Sequence, residues 1–71
     1  MNQATAAQFY EIRVQGVLGP TLLTAFPALS AGAYDGVTVL SGYLPDQAAL
    51  HGVLAQIESL GLELLAVRRA G

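Results

Sequence analysis

Apolar residues recur along this chain with two different periods, and each period predicts a different kind of element. From Phe9 to Val17, apolar and polar residues alternate, which predicts a strand with one buried face. Between positions 50 and 60, apolar residues fall three or four positions apart. That spacing predicts a helix over about residues 47–60 with one buried face.

Both helices carry start or stop signals. Asp46 is suited to cap the free backbone N–H groups of the second helix, and Gly61 stands where a helix commonly ends in a left-handed residue. A strand over about residues 62–68 follows at once. Earlier in the chain, Pro20 follows a glycine turn and suits the first position of a short helix, which we expect to end near Ala28.

The dipeptide Asp35-Gly36 predicts a two-residue hairpin turn when strands flank it. Residues 37–44 are rich in β-branched and aromatic side chains and predict a strand. Residues 29–34 would be its antiparallel partner, but their small side chains have low strand propensity. We therefore expect a short or irregular edge strand there, and a sheet of three strands if that segment is only a loop.

The predicted order is strand, helix, strand, strand, helix, strand. This order favours an α+β, ferredoxin-like fold, with two helices on one face of a mainly antiparallel four-stranded sheet. Residues 1–7 are small and polar and predict a flexible tail. Residues 8–71 are then a single domain, as expected for so short a chain.

The segment TVLSGYLPDQAALHGVLAQIESLGLELLAVRR, residues 38–69, resembles a recurrent family of small bacterial proteins of no assigned function, over most of residues 9–69. In outline it is also similar to the second half of an ACT domain, the amino-acid-sensing ferredoxin-like module. The likeness lies in a strand, a helix ending in glycine and a strand closing on Val-x-Arg. It implies a ligand site where the first strand meets the first helix, here residues 16–20, a segment without an acidic or amide residue.

Composition narrows the classes of partner. Of 71 residues, 54% are hydrophobic and 11% are charged, the net charge is −2, and cysteine is absent. The cations are three arginines, too few for binding by phosphate neutralisation, so no nucleic-acid partner is predicted. No apolar run has the length of a membrane span, and the first residues lack the layout of a signal peptide, so we expect a cytoplasmic protein without a membrane partner.

The sparse charge also predicts self-association. Two helices shelter one face of the sheet, while the strands over residues 37–44 and 62–68 carry apolar side chains on both sides. A lone chain would therefore expose apolar surface, and a homo-oligomer, with a dimer favoured, would cover it. The predicted interface residues are Leu65, Val67, Tyr43 and Arg13. The alternative is a monomer with scattered exposed aliphatic side chains.

Two places carry candidate chemistry. Gly16, Gly19 and Thr21 lead into the first helix, whose N-terminus could bind a small anion, although a plain turn also explains the glycines. His51 lies on the second helix with Glu58 two turns further on along nearly the same line, so the two could form an acid–base pair, although a solvated helix face is the simpler interpretation. The single histidine and the absence of cysteine predict no metal site, and no motif indicates a cofactor.

These observations favour a non-enzymatic, homo-oligomeric interaction or regulatory module. A first alternative is an ACT-like sensor of an amino acid or small anion, with its ligand near residues 16–21. A second is a small dimeric enzyme that uses His51.

Overall fold

The computed structural model of the protein describes residues 7–70, so most of the predicted tail, residues 1–6, lies outside the described residues. The elements are, in chain order, β1 (Gln8–Gln15), α1 (Pro20–Leu23), β2 (Ser30–Tyr34), β3 (Val37–Leu44), α2 (Gln47–Ser59) and β4 (Leu64–Ala70). The strands form one sheet in the order β2-β3-β1-β4, and all neighbours are antiparallel. The predicted α+β class with a four-stranded antiparallel sheet is therefore confirmed.

The hydrophobic core lies on one face of the sheet, below called the core face. Alternate residues of β1 point to it, and in the register of β1 with β3, Ile12 lies opposite Leu40. Helix α2 adds Leu50 and Ile57. The buried hydrophobic cluster consists of Tyr10, Ile12, Val14, Leu18, Phe26, Leu40, Leu44, Leu50 and Ile57. The predicted alternation in β1 thus buries the side chains expected of it. On the apolar face of α2, Leu50 and Ile57 are buried, whereas Leu60 at its end is 36% exposed.

The β2–β3 hairpin turns at the predicted dipeptide. Asp35 and Gly36 have φ angles of 52° and 77°, the positive values that favour Asp-Gly in two-residue hairpin loops. Strand β2 pairs with β3 along its whole length, from Ser30 opposite Ser41 to Tyr34 opposite Val37. The segment is thus a short edge strand, because backbone pairing with β3 outweighs the low propensity of its small side chains.

Helix α1 is shorter than predicted. It covers only Pro20–Leu23, whereas we expected it to end near Ala28. Beyond Leu23 the chain continues in tight turns, in which Phe26 N–H donates to the Leu23 carbonyl at 3.0 Å. Pro27 explains why the helix does not reach Ala28, because Phe26, the residue that precedes it, is disfavoured in the helical region.

Helix α2 is capped at both ends as its sequence predicts. Ala49 N–H donates to Asp46 Oδ1 at 2.8 Å. At the other end, Gly61 has φ of 73°, and Leu62 N–H donates to the Ile57 carbonyl at 3.1 Å, which is the Schellman arrangement. The helix contains 13 residues. No helix within residues 7–70 has the length and apolarity to cross a membrane.

Strand β4 departs from simple alternation. Arg13 lies opposite Ala66 while the next residue, Val14, lies opposite Leu64, so Leu65 is the extra residue of a β-bulge. Strict alternation would have placed Leu64 and Val67 on opposite faces of the sheet. Because of the bulge, both lie on the core face, Val67 opposite Ile12.

Candidate functional site

The face of the sheet opposite the core is below called the open face, because none of its side chains belongs to the buried cluster of the described residues. One central row is polar, the next combines Arg13 with small and apolar residues, and the ends carry aromatic rings. By strand register, it comprises Phe9, Glu11, Arg13 and Gln15 of β1, Val37, Val39, Ser41 and Tyr43 of β3, Ser30, Gly32 and Tyr34 of β2, and Ala66, Arg68 and Ala70 of β4.

The charged centre of the open face is one carboxylate between two guanidinium groups. Glu11 Oε1 lies 3.5 Å from Arg13 Nη2 on the same strand and 3.4 Å from Arg68 Nη2 on β4. The Glu11 side chain is 25% exposed, whereas those of Arg13 and Arg68 are 52% and 73% exposed. Ion pairs this exposed stabilise a fold little, and the group carries a net charge of about +1 because arginine remains protonated at neutral pH.

A cleft of about 590 Å³ lies beside this charged centre, over β3 and β2. Val39 and Gly32 lie side by side beneath it, and Arg13 and Tyr34 stand on opposite sides. Gly32 makes room for the ring of Tyr34, since a Cβ atom at position 32 would lie 2.9 Å from Cε2 of that ring. The remaining lining residues are Glu11, Ser30, Ala31, Asp35, Val37 and Ser41.

An aromatic pair closes the far end of the open face. The rings of Phe9 and Tyr43, which lie opposite each other on β1 and β3, have centroids 5.0 Å apart and an interplanar angle of 73°. This edge-to-face packing is a favourable geometry for two rings. Tyr43 and Arg13, both predicted interface residues, thus lie on the open face, while Val67 lies on the core face and Leu65 in the bulge.

A second exposed surface follows the free edge of β4. Leu64, Leu65 and Val67 are 43%, 43% and 38% exposed, and Leu60 at the end of α2 adds to them. These four residues are below called the β4 patch. A groove of about 610 Å³ runs beside it, between α2 and the start of β4, and Leu54, Ile57 and Leu62 contribute apolar side chains to its lining.

The segment proposed for ligand binding, residues 16–21, is held by β3. The buried hydroxyl of Thr38 accepts from Leu18 N–H at 3.1 Å and donates to the Gly16 carbonyl at 2.6 Å. Gly16 N–H donates to the Gly36 carbonyl at 2.8 Å, and the Gly19 carbonyl accepts from Leu23 N–H at 3.1 Å. Thr21 is exposed within the single turn of α1.

Sequence analysis did not identify Thr38, although a signal for it was present. Threonine at a core-face position of an apolar strand requires a partner for its hydroxyl, because an unpaired buried polar group is costly. The structure supplies that partner from the β1–α1 turn, so these backbone groups serve the fold.

His51 lies on the exposed side of α2, and Glu58 is exposed as well. Within residues 7–70, no hydrogen bond or ion pair joins His51 to another side chain. Among the same residues, no group of three side chains is arranged to hold a metal ion. The structure therefore places no orienting group beside the histidine.

Comparison with known proteins identifies a family. The family model described as a domain of unknown function (DUF8691) matches residues 9–68, from the second residue of β1 to the fifth residue of β4. The chain belongs to the DUF8691 family. The match therefore includes both helices, the cleft and all of the sheet except Gln8, Arg69 and Ala70.

The remaining comparisons add no relative to the DUF8691 match. No curated protein matches the chain, and no solved structure matches it. Membership of a family without an assigned function agrees with the resemblance drawn from residues 38–69. The bacterial source and the ACT likeness stay predictions.

Proposed function

We propose that this protein is a non-enzymatic interaction or regulatory module that forms a homodimer along β4. The observation that carries the proposal is the β4 patch, where apolar side chains are exposed on an edge strand. We also propose that the fold is ferredoxin-like, which the order β2-β3-β1-β4 and its antiparallel pairings support. A cytoplasmic location is part of the same proposal and stays a prediction from sequence.

The edge of β4 is open to pairing. Within the described residues, β4 pairs only with β1, so its other side presents backbone N–H and C=O groups without strand partners. Edge strands of monomers are commonly protected by lysine, proline or inward-pointing charges. Residues 64–67 of β4 contain no lysine, proline or charged residue. The bulge at Leu65 is confined to the start of the strand, and β4 keeps regular pairing with β1 from Ala66 to Ala70, so antiparallel pairing of that stretch with a second β4 would make one continuous eight-stranded sheet.

The charges at the two ends of β4 suit a second copy of the same strand. Glu63 immediately precedes β4, and Arg69 lies near its end. Antiparallel pairing about a two-fold axis places the start of each strand beside the end of the other. Each Glu63 would then lie near an Arg69 of the second copy, twice per dimer, and such complementarity specifies partner and orientation.

The expected affinity is modest. Completing the burial of Leu64, Leu65 and Val67, now 43%, 43% and 38% exposed, would contribute about 4–7 kcal/mol per dimer at about 1.5–3 kcal/mol per fully buried side chain. Association itself costs at least about 4 kcal/mol. The balance must come from the backbone ladder and the end charges, so we expect dissociation at micromolar concentrations and a dimer that dilution can split.

The two alternatives receive less support. An anion sensor at residues 16–21 would need free backbone donors, yet Gly16 and Leu18 N–H groups are already bonded to Gly36 and Thr38. An enzyme based on His51 would need a partner that orients the imidazole. The edge surface thus supports an interaction module better than either.

The first test introduces a charge on the β4 patch. Leu65→Glu and Val67→Glu should each convert the dimer to monomer, because a carboxylate would be buried without a partner. Val17→Glu is the matched control, since Val17 is 68% exposed and lies in the β1–α1 turn. Mass is measured by light scattering and sedimentation over a range of protein concentrations. A parent that stays monomeric at about 1 mM, far above a micromolar dissociation constant, would overturn the proposal.

The second test exchanges the end charges. Glu63→Arg and Arg69→Glu should each weaken the dimer, because each creates like-charge contacts, and the double variant should restore it. Glu58→Arg is the control, the same charge reversal at an exposed position of α2 that does not belong to the expected pair. Equal masses for the single and double variants at matched concentration would contradict this pairing of strands.

A further inference from the structure

We infer that the cleft on the open face is a binding site for a small aromatic carboxylate. It is separate from residues 16–21 and from the β4 patch, so the inference does not depend on the proposed dimer. The carrying observation is the juxtaposition of the Tyr34 ring, a floor of small side chains and the Arg13 guanidinium within about 590 Å³. That volume lies within the range of small-molecule sites, about 300–1,000 Å³.

The aromatic wall is the ring of Tyr34, which lies in space that is free because residue 32 is a glycine. The Tyr34 ring occupies the space above Gly32, where a Cβ atom would lie 2.9 Å from Cε2 and 3.0 Å from the hydroxyl oxygen. Tyr34 is nevertheless exposed, so its ring is available to a ligand. An aromatic ligand gains from such a wall, because stacked or edge-to-face rings attract each other at centroid distances of about 4.5–7 Å.

The opposite wall stands at a suitable distance. Arg13 lies on β1 and Gly32 on β2, with Val39 of β3 between them in the same row of the sheet. Neighbouring strands are about 4.8 Å apart, so the two walls rise from backbones about 10 Å apart. Because Val39 is only 9% exposed, a ligand ring would lie mainly over the neighbouring row of small residues, Ser30 and Ser41, which also line the cleft.

The charge distribution selects a monoanion. Arg13 and Arg68 share one carboxylate, that of Glu11, and each guanidinium carries five N–H donors. Donors therefore remain for a ligand carboxylate, which arginine binds in bidentate geometry. Only Arg13 of the two arginines lines the cleft, together with the carboxylates of Glu11 and Asp35, so a dianion such as phosphate would meet more repulsion from the two carboxylates than a single carboxylate group does.

The ligand should bind in one orientation. Asp35 lines the cleft at the hairpin-turn end, while Glu11 and Arg13 line it on the β1 side. The Asp35 carboxylate repels an anion, so the ligand carboxylate should face Arg13 and the ring should face Tyr34. Ser30 and Ser41, opposite each other on β2 and β3, are small and leave the neighbouring row of the cleft unfilled.

The test is a titration of the full chain with phenylacetate, followed by backbone amide NMR. Saturable shifts are expected at Gly32, Val39 and Ser41 over millimolar ligand. Phenylacetamide lacks the charge and hexanoate lacks the ring. Each should bind about tenfold more weakly than phenylacetate, since a charged hydrogen bond or a ring contact contributes about that factor. Shifts confined to residues 16–21, or equal binding of all three compounds, would overturn the inference.

Protein variants assign the two walls. Arg13→Gln and Tyr34→Leu should each weaken phenylacetate binding about tenfold, while Arg69→Gln, a matched arginine outside the cleft, should leave it unchanged. The amide spectrum of each variant verifies that the fold is retained. Unchanged affinity in either wall variant, or loss in Arg69→Gln, would refute the site.

Binding to the cleft is also separable from dimer formation. Leu65→Glu leaves every lining residue in place, so it should bind phenylacetate with parental affinity whatever its mass. If it loses the ligand while its amide spectrum stays folded, the cleft as a site complete within one chain is refuted.

Discussion

Replacing Thr38 with valine should destabilise this protein more than any comparable change at its surface. The two side chains have nearly the same shape, so the substitution removes little except the hydroxyl. That hydroxyl donates to the Gly16 carbonyl at 2.6 Å and accepts from Leu18 N–H at 3.1 Å, in a side chain only 2% exposed. Both backbone groups would lose their partner at once.

The magnitude follows from burial. Leaving a buried polar group unpaired costs about 1–3 kcal/mol, and Leu18 is buried while Gly16 is partly buried. We expect Thr38→Val to lower the free energy of unfolding by about 2–4 kcal/mol. A chain of 71 residues has a total stability of only about 4–11 kcal/mol. The midpoint of thermal unfolding should therefore fall by roughly 10–25 °C.

Two control variants isolate the cause. Thr24→Val removes a hydroxyl that donates to the Thr21 carbonyl at the same 2.6 Å but in an exposed turn, and it should cost less than about 0.5 kcal/mol. Thr38→Ser keeps the hydroxyl and loses one methyl group, at about 1 kcal/mol.

Urea unfolding followed by circular dichroism, at one fixed protein concentration, compares the three variants. Thr38→Val should be clearly less stable than either control. If it proves no less stable than Thr38→Ser, the hydroxyl does not hold the β1–α1 turn and the reasoning is refuted.

The same unfolding assay checks four further changes. Asp46→Ala removes the acceptor of the Ala49 N–H bond and should cost about 1 kcal/mol; no loss would contradict the cap. Gly61→Ala places a side chain at φ of 73° and should cost about 1–2 kcal/mol; a neutral result would exclude this C-cap as a source of stability. Ile12→Ala opens a cavity at a fully buried position and should cost about 2–5 kcal/mol, with a smaller loss implying collapse of the site. His51→Ala should change stability by less than about 0.5 kcal/mol, and a larger loss would reveal a contact that the exposed side chain does not make.

The elements with strong local signals were predicted well. Helix α2 depends on a capping residue, an apolar stripe and a terminal glycine, all within 16 positions from Asp46 to Gly61. The hairpin turn depends on two adjacent residues, Asp35 and Gly36. Signals this local act through backbone geometry and near-neighbour hydrogen bonds, so they can be interpreted without a partner strand.

Helix α1 and strand β4 were predicted less well. The end of α1 depended on competition between the helical spacing of apolar residues and the restriction imposed by Pro27. In β4, the bulge at Leu65 arises from pairing with Arg13 and Val14, more than 50 positions away, and nothing within the strand marks it. A single inserted residue then exchanges the faces of every side chain before it.

The same distinction between local signals and long-range strand pairing applies to the candidate sites. The local sequence specified which segments are strands and helices and which face of β1 is buried. Tertiary structure decided the rest, because residues distant in sequence meet only through strand register. Register brings Arg68 to Glu11, 57 positions apart, and places Tyr34 and Arg13 on either side of Val39. It also puts β4 at the edge of the sheet, where its apolar side chains remain exposed.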